Sequence, residues 1–282
     1  MDKVKLWVVG SQGLLGSTVS AMAKDAVLST KSEADVADLS SLQKFADQNP
    51  GITHIINCSA YSLVDLAEKE KERAHSINAI GPENLGKIGS KIHARVIHIS
   101  TDYVFPGNET RSLTEEDPVN PLNFYGKTKL EGEQRLLACL PSACVIRTSA
   151  LFGKGGKNFV AKMLQMFREK EEVLLANDQW NSPTLADDLS RAILEMLDQS
   201  GIYHFSNGGK ASKFTFGSAM YAQSFKKKET LRLVSVPSSF FPSFCPRPMY
   251  SVFDTTKISK KLSHPIRPWE DALTAFLQRQ VG

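Results

Sequence analysis

Between residues 5 and 147, short, mainly apolar runs alternate with longer stretches in which apolar positions recur at helical spacing. The runs lie at 5–9, 26–28, 53–57, 95–99 and 143–147, and each predicts a strand. A strand that is apolar at every position is buried on both faces. The intervening helical stretches supply the covering layers, so the pattern predicts an α/β fold with a doubly wound parallel sheet. Helices are expected from the turn after the first strand to about residue 23, over 67–92 with Asn78 near the middle, and around Tyr125 and Lys129. The Pro-, Asn- and acid-rich segment 106–123 reads as a loop.

Beyond residue 148 the alternation weakens. Helices are expected at 159–169, 185–197, 216–225 and 269–278, the last with Pro268 suited to its first turn. Proline and aromatic residues crowd 236–250. The chain therefore divides at 149/150. A first, sheet-forming domain (1–149) is followed by a smaller C-terminal cap (150–282), some segments of which return to the first domain.

Composition narrows the classes of function. The 282 residues are 41% apolar and 23% charged, with a net charge of +4, as in an ordinary soluble globular protein. The one basic run, Lys226-Lys227-Lys228, reads as a solvated helix end, so no nucleic-acid or membrane partner is expected. No apolar run approaches the ~18–20 residues that span a bilayer, and residues 1–5 lead into a strand without a signal-peptide segment. Cys58, Cys139, Cys144 and Cys245 lack the spacing of a zinc or redox site. They read as free thiols in a reducing, cytoplasmic compartment. No carboxylate cluster suggests a metal.

Two groups of residues carry chemistry. Gly10-Ser11-Gln12-Gly13-Leu14-Leu15-Gly16 follows a strand and opens a helix. Gly10 suits the tight turn, Gly13 lets a pyrophosphate approach the backbone, and Gly16 lets helix pack closely on strand. That is a dinucleotide-binding pattern with unusual glycine spacing. No acid closes the second strand. Ser29, Thr30, Lys31 and Ser32 stand there instead, and hydroxyls plus a cation suit a 2′-phosphate, hence NADPH, with NADH still possible. Lys31 is also readable as an exposed loop lysine, and Asp38 as a helix N-cap.

The second group is Ser100-Thr101-Asp102-Tyr103-Val104-Phe105 with Tyr125-Gly126-Lys127-Thr128-Lys129. Tyr125 and Lys129 are spaced to share a helix face. A nearby ammonium lowers a tyrosine pKa toward working pH and makes it a usable general acid. Thr101 is placed to tune that proton transfer, although a local bond at a strand end would also account for it.

Together these residues resemble the extended short-chain dehydrogenase/reductase superfamily, and within it the dTDP-4-dehydrorhamnose reductase family. The resemblance rests on residues 56–65, Ile77-Asn78-Ala79, 100–108, 123–133, Arg147-Thr148-Ser149, Asn158-Phe159, 177–184 and Arg247-Pro248. It implies a Rossmann-like NADP-binding domain with a substrate-binding cap. It implies that Gly13, Leu14 and Leu15 meet the pyrophosphate and that Asp38 and Leu39 flank the adenine. Ala60, Tyr61 and Ser62 would line the cofactor cleft, with Ile99 beside the nicotinamide. Tyr125 would protonate the C4 oxygen of a dTDP-6-deoxy-4-ketosugar as hydride arrives. Lys129 would bind the nicotinamide ribose and hold the tyrosine pKa down, supported by Asn78. Thr101, Asp102 and Val64 would contact the sugar.

Two positions depart from the family pattern. Ala150 stands where the family has a tryptophan against the sugar, and Tyr250 replaces an asparagine after Arg-Pro. These leave the exact sugar open. The resemblance also admits a catalytically silent NADP-binding regulatory subunit of the methionine adenosyltransferase type, or a nucleotide-sugar epimerase. The oligomeric state, monomer or homodimer, is not legible.

Overall fold

The computed structural model describes residues 4–155, 158–224, 228–242 and 245–279. Lys226 and Lys227 of the basic run, and residue 225 at the end of the helix expected over 216–225, lie outside the described residues. The first half runs β1 (Leu6–Val9), α1 (Leu14–Met22), β2 (Val27–Ser29), α2 (Leu39–Gln48), β3 (His54–Asn57), α3 (Val64–Ala67), α4 (Lys71–His75), a π-helical turn at Ser76–Ile80, α5 (Gly81–Lys91), β4 (Arg95–Thr101), α6 (Phe124–Cys139) and β5 (Cys144–Thr148). The second half adds β6 (Leu151–Phe152), α7 (Phe159–Glu169), β7 (Glu172–Ala176), β8 (Trp180–Asn181), β9 (Thr184–Leu185), α8 (Ala186–Glu195) and β10 (Gly201–His204). It closes with β11 (Ala211–Ser212), α9 (Lys213–Gln223), β12 (Arg232–Val236), β13 (Tyr250–Ser251), α10 (Thr256–Ser259) and α11 (Trp269–Arg279).

The main sheet has six strands in the order β10-β5-β4-β3-β1-β2, all paired in parallel. The continuous apolar runs explain its two covers. Trp7, Val9, Ile55, Val96 and Val145 face one side and pack on Leu42, Phe45, Leu85, Ile88 and Leu136 of α2, α5 and α6. Their neighbours Val8, Ile56, Ile97 and Ile146 face the other side and pack on Leu15, Val19, Leu189 and Ile193 of α1 and α8. Successive residues of a strand point to opposite faces, so each run feeds both cores. A third core, around Phe152, Phe167, Phe216, Trp269 and Phe276, holds the C-terminal elements together.

Two features differ from the sequence reading. The sixth strand, β10, was not among the expected strands. Pairing with β5 makes it a strand all the same. The single helix expected over 67–92 is broken into α4, the π turn and α5. The extra residue of a π turn rotates one side chain inward. Here Asn78 is buried beside Ala79, and its amide accepts from the Tyr61 N–H at 2.8 Å and donates to the Tyr61 carbonyl at 3.1 Å.

Chain order reverses at the boundary between β1 and β3, since β2 lies on one side of β1 and β3 on the other. The loops leaving β1 and β3 diverge there and leave a crevice. Gly10 turns the chain at φ +75°, and a Cβ on Gly16 would stand 2.1 Å from the Gly10 carbonyl oxygen. Gly16→Ala therefore forces the loop away from α1. A loss of about 1–3 kcal/mol in urea unfolding is expected, with weakened dinucleotide binding.

Candidate active site

The crevice holds a cleft in two joined parts. One is lined by Gly10, Gln12, Gly13, Thr30, Lys31, Ala34, Asp35 and Val36, with Cys58, Ser59 and Ala60 across from them. The other, a cavity of about 440 Å³, is lined by Gly13, Leu14, Leu15, Ser59, Ala60, Ser62, Val64, Ile99, Thr101, Asp102, Tyr125, Lys129 and Ala150, among others. Gly13, Cys58, Ser59 and Ala60 border both parts. The structure thus brings most of the anticipated residues to one place. Gly13 caps α1 without a side-chain bond to the first turn, so those N–H groups are free to meet an anion.

Some anticipated residues lie elsewhere. Asp38 is exposed and caps α2, its carboxylate accepting from the Ser40 N–H at 2.9 Å. Leu39 is 41% exposed, and neither residue borders the cleft. Asp35 and Val36 occupy the cleft wall instead. Asp35 lies 3.7 Å from the Lys31 ammonium, an acid that the sequence reading did not place near the second strand. The Tyr61 side chain packs away from the cleft in a small core with Ala67 and Ala74. Asn78 sits behind it, joined to the Thr128 hydroxyl at 3.2 Å.

Asn123 starts α6, its side chain accepting from the Gly126 N–H at 2.8 Å. Tyr125, Lys129 and Glu133 then form one stripe at successive turns. Lys129 and Glu133 are each 1% exposed. Arg147 of β5 donates to Glu133 through Nη2 at 2.7 Å and Nε at 3.0 Å. The Ser100 hydroxyl donates to the same carboxylate. The Lys129 Nζ is turned to β4, 2.7 Å from the Ile99 carbonyl and 3.2 Å from His98 Nε2.

That orientation corrects one expectation. Lys129 does not hold the Tyr125 pKa down here. Burial pushes the Tyr125 phenol up to about 12, a hydrogen bond with Thr101 pulls it back, and the charge of Asp102 raises it. Burial also draws Lys129 down to about 8, against the opposing charge of Glu133. Tyr125 therefore stays protonated across neutral pH.

Asp102 is 3% exposed. It accepts from the Ser251 hydroxyl at 2.6 Å and from Thr101 at 3.2 Å. Arg247, from the same C-terminal segment, reaches Asp65 at 2.7 Å. Sequence reasoning missed Ser251 and Glu133, whose nearest signals were the Arg-Pro motif and the continuation of the Tyr125–Lys129 spacing. Ala150 borders the cavity with φ +42°, a left-handed backbone that costs a non-glycine residue about 1–2 kcal/mol. Tyr250 is not on the cavity wall, and the Lys210 ammonium stands 5.3 Å from its ring centre.

Comparison with known proteins fits this geometry. Residues 4–281 match the family described as the RmlD substrate binding domain. The chain belongs to that family. It is 35% identical to the dTDP-4-dehydrorhamnose reductase of Mycolicibacterium smegmatis, covering 99% of this chain and 86% of that one. It is 36% identical to the spore coat polysaccharide biosynthesis protein SpsK of Bacillus subtilis, covering 98% of each. The crystal structure of the Bacillus anthracis dTDP-4-dehydrorhamnose reductase in complex with NADP superposes with a TM-score of 0.93 at 31% identity, covering 98% of this chain and 99% of that one. The RmlD fold is thus the Rossmann-like α/β architecture anticipated, and the family is one of nicotinamide-dependent oxidoreductases.

Burial lifts Asp102 from 3.8 to about 6, partly offset by hydrogen bonds from Ser251 and Thr101. The native state therefore holds this proton more tightly than the unfolded chain, and stability falls as pH rises through that window. Asp102→Asn removes the fall. The variant should match the parent near pH 4 and exceed it by roughly 3 kcal/mol or less above pH 6, measured by urea unfolding at both values.

Proposed function

We propose that this protein reduces the C4 keto group of dTDP-4-dehydro-L-rhamnose to give dTDP-L-rhamnose, with NADPH as reductant and Tyr125 as proton donor. The observation that carries the reading is the convergence of Tyr125, Lys129, Thr101 and Asp102 on one cavity continuous with the glycine-loop cleft. Relatives named dTDP-4-dehydrorhamnose reductase, one solved with NADP, support it. The SpsK relative fits a product destined for polysaccharide. Four free cysteines and the lack, among the described residues, of a helix long and apolar enough to cross a membrane suit a cytoplasmic setting.

NADPH bound in the cleft supplies the hydride. Its pyrophosphate is suited to the uncapped start of α1, and Thr30 and Lys31 to a 2′-phosphate. The residues of the chain do the rest. Val64 and Ala150 shape the sugar side of the cavity, and Ile99 backs the nicotinamide side. Tyr125 gives its phenolic proton to the C4 oxygen as that oxygen gains charge. Thr101, bonded to Tyr125, stabilises the phenolate left behind by turning its one hydroxyl hydrogen from Asp102 to it.

Tyr125→Phe removes the proton and little contact area. NADPH oxidation with dTDP-4-dehydro-L-rhamnose should fall by about 10²–10⁴-fold, while NADPH affinity by calorimetry stays nearly unchanged. Turnover surviving in the variant would remove Tyr125 from this role. Lys31→Ala should raise the Kd for NADPH by roughly tenfold and leave that for NADH unchanged. Equal effects on both dinucleotides would place the 2′-phosphate elsewhere.

A further inference from the structure

A chain of buried hydrogen bonds runs from Lys129 to the cleft floor, and His98 is its middle member. His98 has no accessible surface. Its Nε2 is 3.2 Å from the Lys129 Nζ, and its Nδ1 is 3.0 Å from the Asn57 Nδ2. The Asn57 Oδ1 accepts from the Ser59 N–H at 3.0 Å and from the Ser59 hydroxyl at 2.6 Å. Ser59 borders both parts of the cleft.

The protons of this chain can be assigned from one end. A backbone N–H only donates, so the Ser59 N–H fixes the Asn57 oxygen toward itself and the Asn57 NH₂ toward His98. His98 Nδ1 must then accept. A neutral imidazole carries its one proton on the other nitrogen, so Nε2–H points at Lys129. An ammonium there would set donor against donor. A neutral amine fits, because its lone pair accepts from His98 while an N–H donates to the Ile99 carbonyl.

We propose that His98 is a positioning residue for Lys129, holding it as a neutral amine on β4 by donating Nε2–H to Nζ in a chain anchored at Ser59. Burial acts in the same direction on both groups: it brings Lys129 to about 8, so the neutral amine prevails above that pH, and it keeps His98 neutral, as does the Lys129 charge where the lysine is protonated. Of the other charged groups around Lys129, Glu133 on its own helix is engaged by Arg147 of β5. Asp102 lies beyond Tyr125 and is tied to Ser251. His75 of α4 is paired with Glu131. In the reductase reading, on which this inference rests, leaving His98 favours the charged form of Lys129. The dinucleotide site and the lysine are then linked through Ser59, Asn57 and His98.

The test needs no turnover. In protein labelled with ¹⁵N-histidine, without cofactor near pH 8.5, long-range nitrogen–proton spectra report each tautomer. His98, identified by its loss in His98→Leu, should be the Nε2–H form. His204 is an internal control, because its Nδ1 lies 3.0 Å from the Leu113 carbonyl and must carry the proton. His98 found as the Nδ1–H form or as imidazolium would overturn the proposal. In ¹⁵N-lysine protein, Lys129 should titrate about one unit higher in His98→Leu, where the neutral amine loses its donor, and return toward the parent value in His98→Gln. An unchanged titration in folded His98→Leu would also overturn it. If His98→Leu does not fold, His98→Gln identifies the signal and the parent spectrum decides. Failure to reduce the keto sugar would leave these spectra unmoved, so the two readings fail separately.

Discussion

The reversal of strand order between β1 and β3 is the constraint on which the site depends. Two neighbouring parallel strands send their following loops in opposite directions and leave a gap between them. The glycine loop and the segment Cys58–Ala60 form its two walls. The gap stays open because Gly10 and Gly16 bring loop and helix closer together than any side chain allows.

A second constraint fixes the chemistry beside that gap. The inner stripe of α6 carries a phenol, an amine and a carboxylate where a helix against a sheet would ordinarily carry leucines. Glu133 and Arg147 are both nearly inaccessible and satisfy each other through paired hydrogen bonds. Such a pair adds little net stability, yet it is costly to break, because the surviving charge would be stranded. Its effect is to fix the rotation of α6 against β4 and β5. Tyr125 and Lys129 are carried along, one facing the cavity and the other β4.

The sheet was legible because its signal is local: five apolar runs, each bounded by a turn, mark five of its six strands. β10 was not, because its identity depends on pairing with β5. Most of the cleft was legible for a similar reason, since the glycine loop, Thr101 and the Tyr125–Lys129 pair have fixed spacings. Where a role depended on direction, the sequence was weaker. Spacing put Lys129 on the face of Tyr125 but not its Nζ on the Ile99 carbonyl. The Asp38 carboxylate was taken up by its own helix, as a cap can be, and Asp35 came to the cleft instead. Ser251 reaches Asp102 across a distance in sequence that no local pattern spans.

The proposed reaction requires hydride to reach the sugar carbon beside Tyr125. The most direct measurement is to supply dTDP-4-dehydro-L-rhamnose with NADPH deuterated at the transferring position of its nicotinamide, and to locate the label by NMR. One deuterium at C4 of a product with the L-rhamno configuration is the predicted result. Tight NADPH binding with no labelled sugar would contradict it, and would mark the protein as a dinucleotide-binding partner of another enzyme.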